Sequence, residues 1–134
     1  MNKNFEHSEL RAIQYGCGKM GKLILRYLYE KGVTIVGAID SNPSLIGQDI
    51  ADLIGLEQKL GVTVSGNPEE VFAKQPADIC IVAIGSLMTE MYPLLTIPLK
   101  YGVNTITTCE EAFFPWTTSP EFSKRLDSLA KDNY

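Results

Sequence analysis

At 134 residues the chain has the length of one domain and not two, since single-core domains cluster at roughly 100–150 residues. A hydrophobic share of 45% and a charged share of 21% exclude the disordered, collagen-like and membrane-embedded classes. Sixteen acidic against twelve basic residues leave a net charge of −4 with no basic block, which argues against sequence-independent binding to nucleic acid or an anionic membrane and favours a small-molecule partner.

Residues 1–10 form a polar leader without the apolar stretch of a signal peptide, and no apolar run reaches the ~18 residues that span a bilayer. The expected location is the cytoplasm, with no membrane partner. Cys17, Cys80 and Cys109 are odd in number and far apart, with no CxxC pair and no His cluster, so they read as reduced thiols and no metal site is expected. His7, in the leader, reads as a surface residue.

Within residues 11–134, the segment Arg11 to Tyr15 reads as a strand that runs into glycines. Met20, Leu23, Ile24, Tyr27 and Leu28 then repeat at helical spacing, opposite Lys22, Arg26 and Glu30, which predicts a helix with those apolar residues facing the core. Gly32 stops it, and the β-branched run Thr34 to Ile39 predicts a second strand. The turn-rich stretch from Ser41 to Gly61 holds a short helix at Asp49 to Ile54, and Val62 to Val64 reads as a short strand. Asn67, Pro68, Glu69 and Glu70 supply an N-cap, a first-turn proline and acids suited to the helix dipole, opening a helix to about Lys74.

The unbroken apolar run Ile79 to Ala83 suits a parallel strand covered on both faces. Leu87 to Tyr101 continues at helical spacing, but Pro93 and Pro98 predict a kinked or divided helix. Val103 to Thr107 is the next strand, and Ser119-Pro120-Glu121 opens a last helix with Phe122, Leu126, Leu129 and Ala130 inward. Strands alternating with helices predict an α/β fold: a doubly wound, mostly parallel sheet with helices on both faces.

Gly16-Cys17-Gly18-Lys19-Met20-Gly21 matches GxGxxG directly after a strand and at the start of a helix. In that setting Gly16 permits the tight turn, Gly18 lets backbone approach a pyrophosphate, and Gly21 allows close helix–strand packing, while free N–H groups face the phosphates. Asp40 ends the second strand, 19 residues after Gly21, where a carboxylate accepts hydrogen bonds from the adenosine ribose. With Ser41 and Asn42 adding no positive charge, NAD is the expected cofactor; Lys19 is the one nearby cation and leaves room for NADP. Ala83-Ile84-Gly85-Ser86 turns on the same carboxyl edge, with Gly85 and Ser86 expected along the cofactor. Thr107-Thr108-Cys109-Glu110-Glu111 follows at the next strand end, toward the nicotinamide. Its paired acids suit either an ammonium group or the first turn of a helix. Cys17 and Cys109 read as small packing residues, and Phe113, Phe114 and Trp116 as packing or as a surface meeting another domain or subunit.

With GCGKMG, AIDSNPSLIGQDIADLIG, LGVTVSG and NTITTCEEAFFPW in view, the chain from Arg11 onward resembles the N-terminal half of the 2,4-diaminopentanoate dehydrogenase family. It is similar more broadly to the dihydrodipicolinate reductase group. The resemblance implies a Rossmann-type domain of an oxidoreductase that deaminates a 2,4-diamino acid oxidatively at C4, giving 2-amino-4-oxopentanoate, ammonia and reduced NAD(P). It also implies that Gly16, Cys17, Gly18, Lys19, Met20, Gly21, Asp40 and Ser41 hold adenosine and pyrophosphate. Ala83, Ile84, Gly85 and Ser86 would hold the middle of the cofactor, and Thr108, Cys109 and Glu110 the nicotinamide end. The family's substrate domain, through which a homo-oligomer would form, has no counterpart in this sequence, and the catalytic groups stay unassigned. Two other readings stand beside this one: a self-standing nucleotide-binding or redox-sensing module, and the same domain of a dihydrodipicolinate reductase-type enzyme.

Overall fold

A computed structural model of the chain describes residues 10–134; His7 and the rest of the leader before Leu10 lie outside the described residues. The elements in chain order are β1 (Arg11–Tyr15), α1 (Lys19–Glu30), β2 (Thr34–Ile39), α2 (Ile50–Ile54), β3 (Val64–Ser65), α3 (Pro68–Lys74), β4 (Ile79–Val82), α4 (Met88–Lys100), β5 (Asn104–Thr107), α5 (Pro115–Thr118) and α6 (Pro120–Asp132). All five strands are parallel, in the order β3-β2-β1-β4-β5, so the direction of winding reverses between β1 and β4. The alternation of elements predicts the doubly wound parallel sheet but not this strand order, which is the Rossmann-type arrangement that the resemblance implies.

Two apolar layers cover the sheet. Ile13 and Tyr15 of β1 join Cys80 and Val82 of β4 under Phe72 of α3 and Met88, Met91 and Leu95 of α4, with Phe122 and Leu126 of α6 alongside. On the opposite face Ala38 of β2 and Cys17 pack with Leu25 of α1 and Ile50 and Ile54 of α2.

Three sequence expectations are corrected here. First, α1 sits rotated: Gly21 and Leu25 are its buried residues, while Met20, Leu23 and Tyr27 are 54%, 46% and 57% exposed. The cause is the close approach of Gly21 to the glycine loop, which brings the Gly21–Leu25 line onto the sheet and leaves the outer half of the apolar stripe uncovered. Second, of the kinked or divided helix expected at α4, the division does not occur. Although each proline removes one backbone hydrogen bond, the helix runs unbroken through Pro93 and Pro98, and it buries Met88, Met91 and Leu95 at roughly 1.5–3 kcal/mol per side chain. Third, β3 begins at Val64, not Val62. The Val62 carbonyl accepts from the Ile50 N–H (2.9 Å) and Thr63 bridges Asp49 in antiparallel fashion, so the chain is tied to the Asp49 turn before it reaches the sheet. Asp49 anchors that turn by accepting from the N–H groups of Ala51, Leu60 and Gly61, which hold its carboxyl below the usual range.

Among the described residues no helix is long and apolar enough to cross a membrane, and no group of three or more His, Cys, Asp or Glu is placed to hold a metal ion.

Candidate functional site

The turn after β1 and the turn after β4 meet at the point where the strand order reverses. Gly16 adopts φ +98°, a left-handed conformation that disfavours any side chain, and its N–H donates to the Ile39 carbonyl (2.8 Å). A Cβ there would fall 2.2 Å from the Ala83 carbonyl oxygen, so the fold itself requires glycine at this position. The same holds for Gly21, where a Cβ would lie 1.9 Å from the Gly16 carbonyl oxygen. Gly18 differs. Its φ is an ordinary −71° and a Cβ would meet nothing within 4 Å, so nothing among the described residues accounts for the missing side chain.

Gly18 is also the N-cap of α1, and no side chain caps that end. The first N–H groups of a helix have no intrahelical partner, and here they open on an exposed shelf formed by Gly18, Lys19 and Met20. Three other helix starts are closed by side chains: Asp49 caps α2, Asn67 caps α3, and Glu111 reaches across to accept from the Met88 N–H at the start of α4 (2.6 Å), whereas α5 and α6 lack a side-chain cap as α1 does. Lys19 is exposed and has no ion-pair partner among the described residues.

Asp40 stands at the end of β2, half-buried, with one carboxylate oxygen accepting from the Cys17 N–H (2.7 Å) and the other from the Asn42 N–H (2.8 Å). It therefore ties the glycine loop to the turn that follows β2, while each oxygen keeps a further lone pair for a ligand hydroxyl. Ser41 and Asn42 are exposed beside it. Cys17 turns its side chain inward: it is fully buried, with Sγ 3.6 Å from the Ile39 carbonyl oxygen. Burial, then the neighbouring Asp40 charge, push its thiol up to about 12, which opposes thiolate chemistry. Cys80 is likewise pushed up to about 12 by burial, and all three cysteines are free and buried.

On the far side of the loop, Ala83 donates its N–H to the Tyr15 carbonyl (2.8 Å), while Ile84 and Ser86 are exposed and Gly85 is half-buried. Ser86 links this turn to the one after β5: its carbonyl accepts from the Glu111 N–H (3.2 Å) and lies 3.3 Å from Cys109 Sγ. Thr107, Thr108, Cys109, Glu110, Ala112 and Phe113 line a cleft of about 670 Å³ there. A hydrogen bond from the Ser86 side chain holds the Glu110 carboxyl below the usual range, keeping this exposed group anionic at neutral pH. The acidic pair is thus split: both residues belong to one 3-10 turn, Glu110–Ala112, but Glu111 caps α4 and Glu110 faces the cleft. Phe113, Phe114 and Trp116 are 93%, 62% and 53% exposed, so core packing does not explain them. A second cavity, about 480 Å³ along the β2 edge that the two-residue β3 leaves open, is lined by none of the loop residues.

Gln14 is a site residue that motif reading misses. It is fully buried on β1, and its Nε2 donates to the Gly16 carbonyl (3.0 Å). The available signal was an amide side chain inside an otherwise apolar strand, two residues before the glycine turn.

Among solved structures, the chain is similar to an amine dehydrogenase from Mycobacterium smegmatis, 44% identical with a TM-score of 0.92, covering 96% of this chain and 38% of that one. It is 27% identical to 2,4-diaminopentanoate dehydrogenase of Acetoanaerobium sticklandii over 127 residues, 93% of this chain and 36% of that protein. It thus spans little more than a third of either. The WlbA dehydrogenase of Bordetella pertussis, solved with NADH and UDP-GlcNAcA, shares the fold at 17% identity and a TM-score of 0.66, covering 92% of this chain and 34% of that one. A family model described as dihydrodipicolinate reductase, N-terminus, matches residues 10–109. That span takes in all five strands and the two turns that meet at the switch point, and the chain belongs to this family.

Proposed function

We propose that the chain is the NAD-binding domain of an amine dehydrogenase acting on a small amino-substituted acid, with a 2,4-diaminopentanoate-type substrate. The observation that carries the cofactor half of this reading is Gly18: the fold needs glycine at Gly16 and Gly21 but leaves Gly18 sterically free, beside an uncapped helix start. A pyrophosphate approaching the backbone supplies the missing reason. The residues present fit the cofactor. The N–H groups at the start of α1 would hold the pyrophosphate, Asp40 the adenosine ribose, and Ala83 to Ser86 the middle of the molecule, with Thr108 to Glu110 nearest the nicotinamide. The bound NAD would supply a hydride acceptor for the carbon that carries the amino group, and hydrolysis of the imine would give ketone and ammonia.

The chain's own contribution is binding, orientation and charge. Glu110, anionic and facing the cleft, is suited to attract a substrate ammonium. The 44% identity to an amine dehydrogenase and the weaker likeness to 2,4-diaminopentanoate dehydrogenase support the amine half of the reading. The burial and raised pKa of Cys17 speak against thiol-based redox sensing at the glycine loop.

Calorimetric titration tests the cofactor assignment. Asp40 would repel a 2′-phosphate, and neither Ser41 nor Asn42 offsets it, so NAD is expected to bind more tightly than NADP. NADP binding at least as tight as NAD overturns the role given to Asp40.

A further inference from the structure

We propose that Gln14 is a positioning residue of the cofactor loop, acting with Asp40 to clamp the Gly16–Cys17 peptide from both ends. The inference rests on the reading of the loop as a dinucleotide site and deepens it. The Gly16 carbonyl accepts from Gln14 Nε2 (3.0 Å), and the Cys17 N–H donates to Asp40 Oδ2 (2.7 Å). These two groups belong to one trans peptide, so they point in opposite directions, and holding both fixes the plane of the peptide. That plane sets the direction in which the chain enters Gly18 and the exposed N–H groups at the start of α1.

The setting of Gln14 shows that its side chain is not there for packing. On the α1 face of the sheet it lies in a cross-strand row with Ala38 on β2 and Ile81 on β4. It is fully buried in that row, and its Oε1 has no hydrogen-bond partner. A buried acceptor without a partner costs stability, and an apolar side chain of similar size would avoid that cost. What an apolar side chain could not supply is the donor to Gly16. The clamp is also tightly framed. The Gly16 carbonyl oxygen is 1.9 Å from where a Gly21 Cβ would be, and that same position is 3.5 Å from Gln14 Nε2. Carbonyl, amide and the first turn of α1 meet at one point, so a change in the Gln14 amide moves the loop and not a distant surface. Asp40 gains a second role: the group proposed to read the ribose also holds the loop that faces the pyrophosphate.

Gln14→Leu separates positioning from packing. In the 134-residue chain its melting temperature is expected to stay close to that of the unsubstituted protein, because relief of the orphaned Oε1 offsets the loss of the donor to the Gly16 carbonyl. NAD affinity is expected to fall about five- to tenfold, the scale of one hydrogen bond, and the Cys17 amide to exchange with solvent about tenfold faster in the ligand-free protein. Unchanged NAD affinity together with unchanged Cys17 exchange overturns the proposal. So does a variant that melts well below the parent or fails to fold, since that assigns Gln14 to the core. The unsubstituted chain gives an independent check: a Cys17 amide exchanging as fast as those of exposed loops overturns the clamp. Failure of the unsubstituted chain to bind NAD would count against the cofactor reading alone, because the exchange measurement needs no ligand.

Discussion

Gly16→Ala is expected to destabilise the folded chain by roughly 3 kcal/mol or more, from a strained backbone together with overpacking. Two independent penalties act at this position. The φ of +98° lies where a Cβ is disfavoured, and the added atom would sit 2.2 Å from the Ala83 carbonyl oxygen and 2.7 Å from Ile84 Cγ1. The carbonyl is backbone at the end of β4, so relief requires β1 and β4 to separate at the point where the sheet reverses. Urea unfolding followed by circular dichroism should show the midpoint collapse. Gly18→Ala in the same assay should stay within about 0.5 kcal/mol of the parent, as surface substitutions do. Equal losses at the two positions would mean that the distinction drawn between fold-required and fold-independent glycines is wrong.

The second large effect is expected at Asp40. Asp40→Ala removes the acceptor for the proposed ribose contact and releases the Cys17 and Asn42 N–H groups together. The loss of charge-assisted hydrogen bonds should weaken NAD by roughly 1–3 kcal/mol, or about 5- to 150-fold in Kd by calorimetry. Asp40→Asn keeps a side-chain oxygen to accept from the loop while losing the charge, and is expected to fall between the parent and the alanine variant. An unchanged NAD affinity in Asp40→Ala would move this residue out of the site.

Where local chemistry decides the structure, the sequence was readable. The β1–loop–α1–β2 unit, the stop at Gly32, the Asn67-Pro68 helix start and the central apolar strand all follow from periodicity, capping and glycine placement within a few residues. What stayed hidden depends on partners distant in the chain. The apolar stripe of α1 identifies a helix, but its rotation is set by Gly21 against Gly16 and by how far the sheet extends beneath it. Glu111 caps α4 from 23 positions away, so a pair of adjacent acids could not reveal that one is structural and the other faces the cleft. Val62 looks like strand because it is β-branched; only the tie between its carbonyl and Ile50 shows why the strand starts later. Gln14 was missed for a related reason. The glycine motif draws attention to the loop, whereas the group that orients the loop lies under it, on the preceding strand.

The central claim is that the exposed start of α1 receives the pyrophosphate of a dinucleotide, and amide-resolved NMR titration with NAD tests it most directly. Saturable shifts concentrated at Gly18, Lys19, Met20 and Gly21, with a second group at Asp40 to Asn42, are the predicted result, and Gly18→Ala should weaken them without unfolding the chain. Shifts absent from the loop at millimolar NAD, or confined to the cavity along the β2 edge, would contradict it.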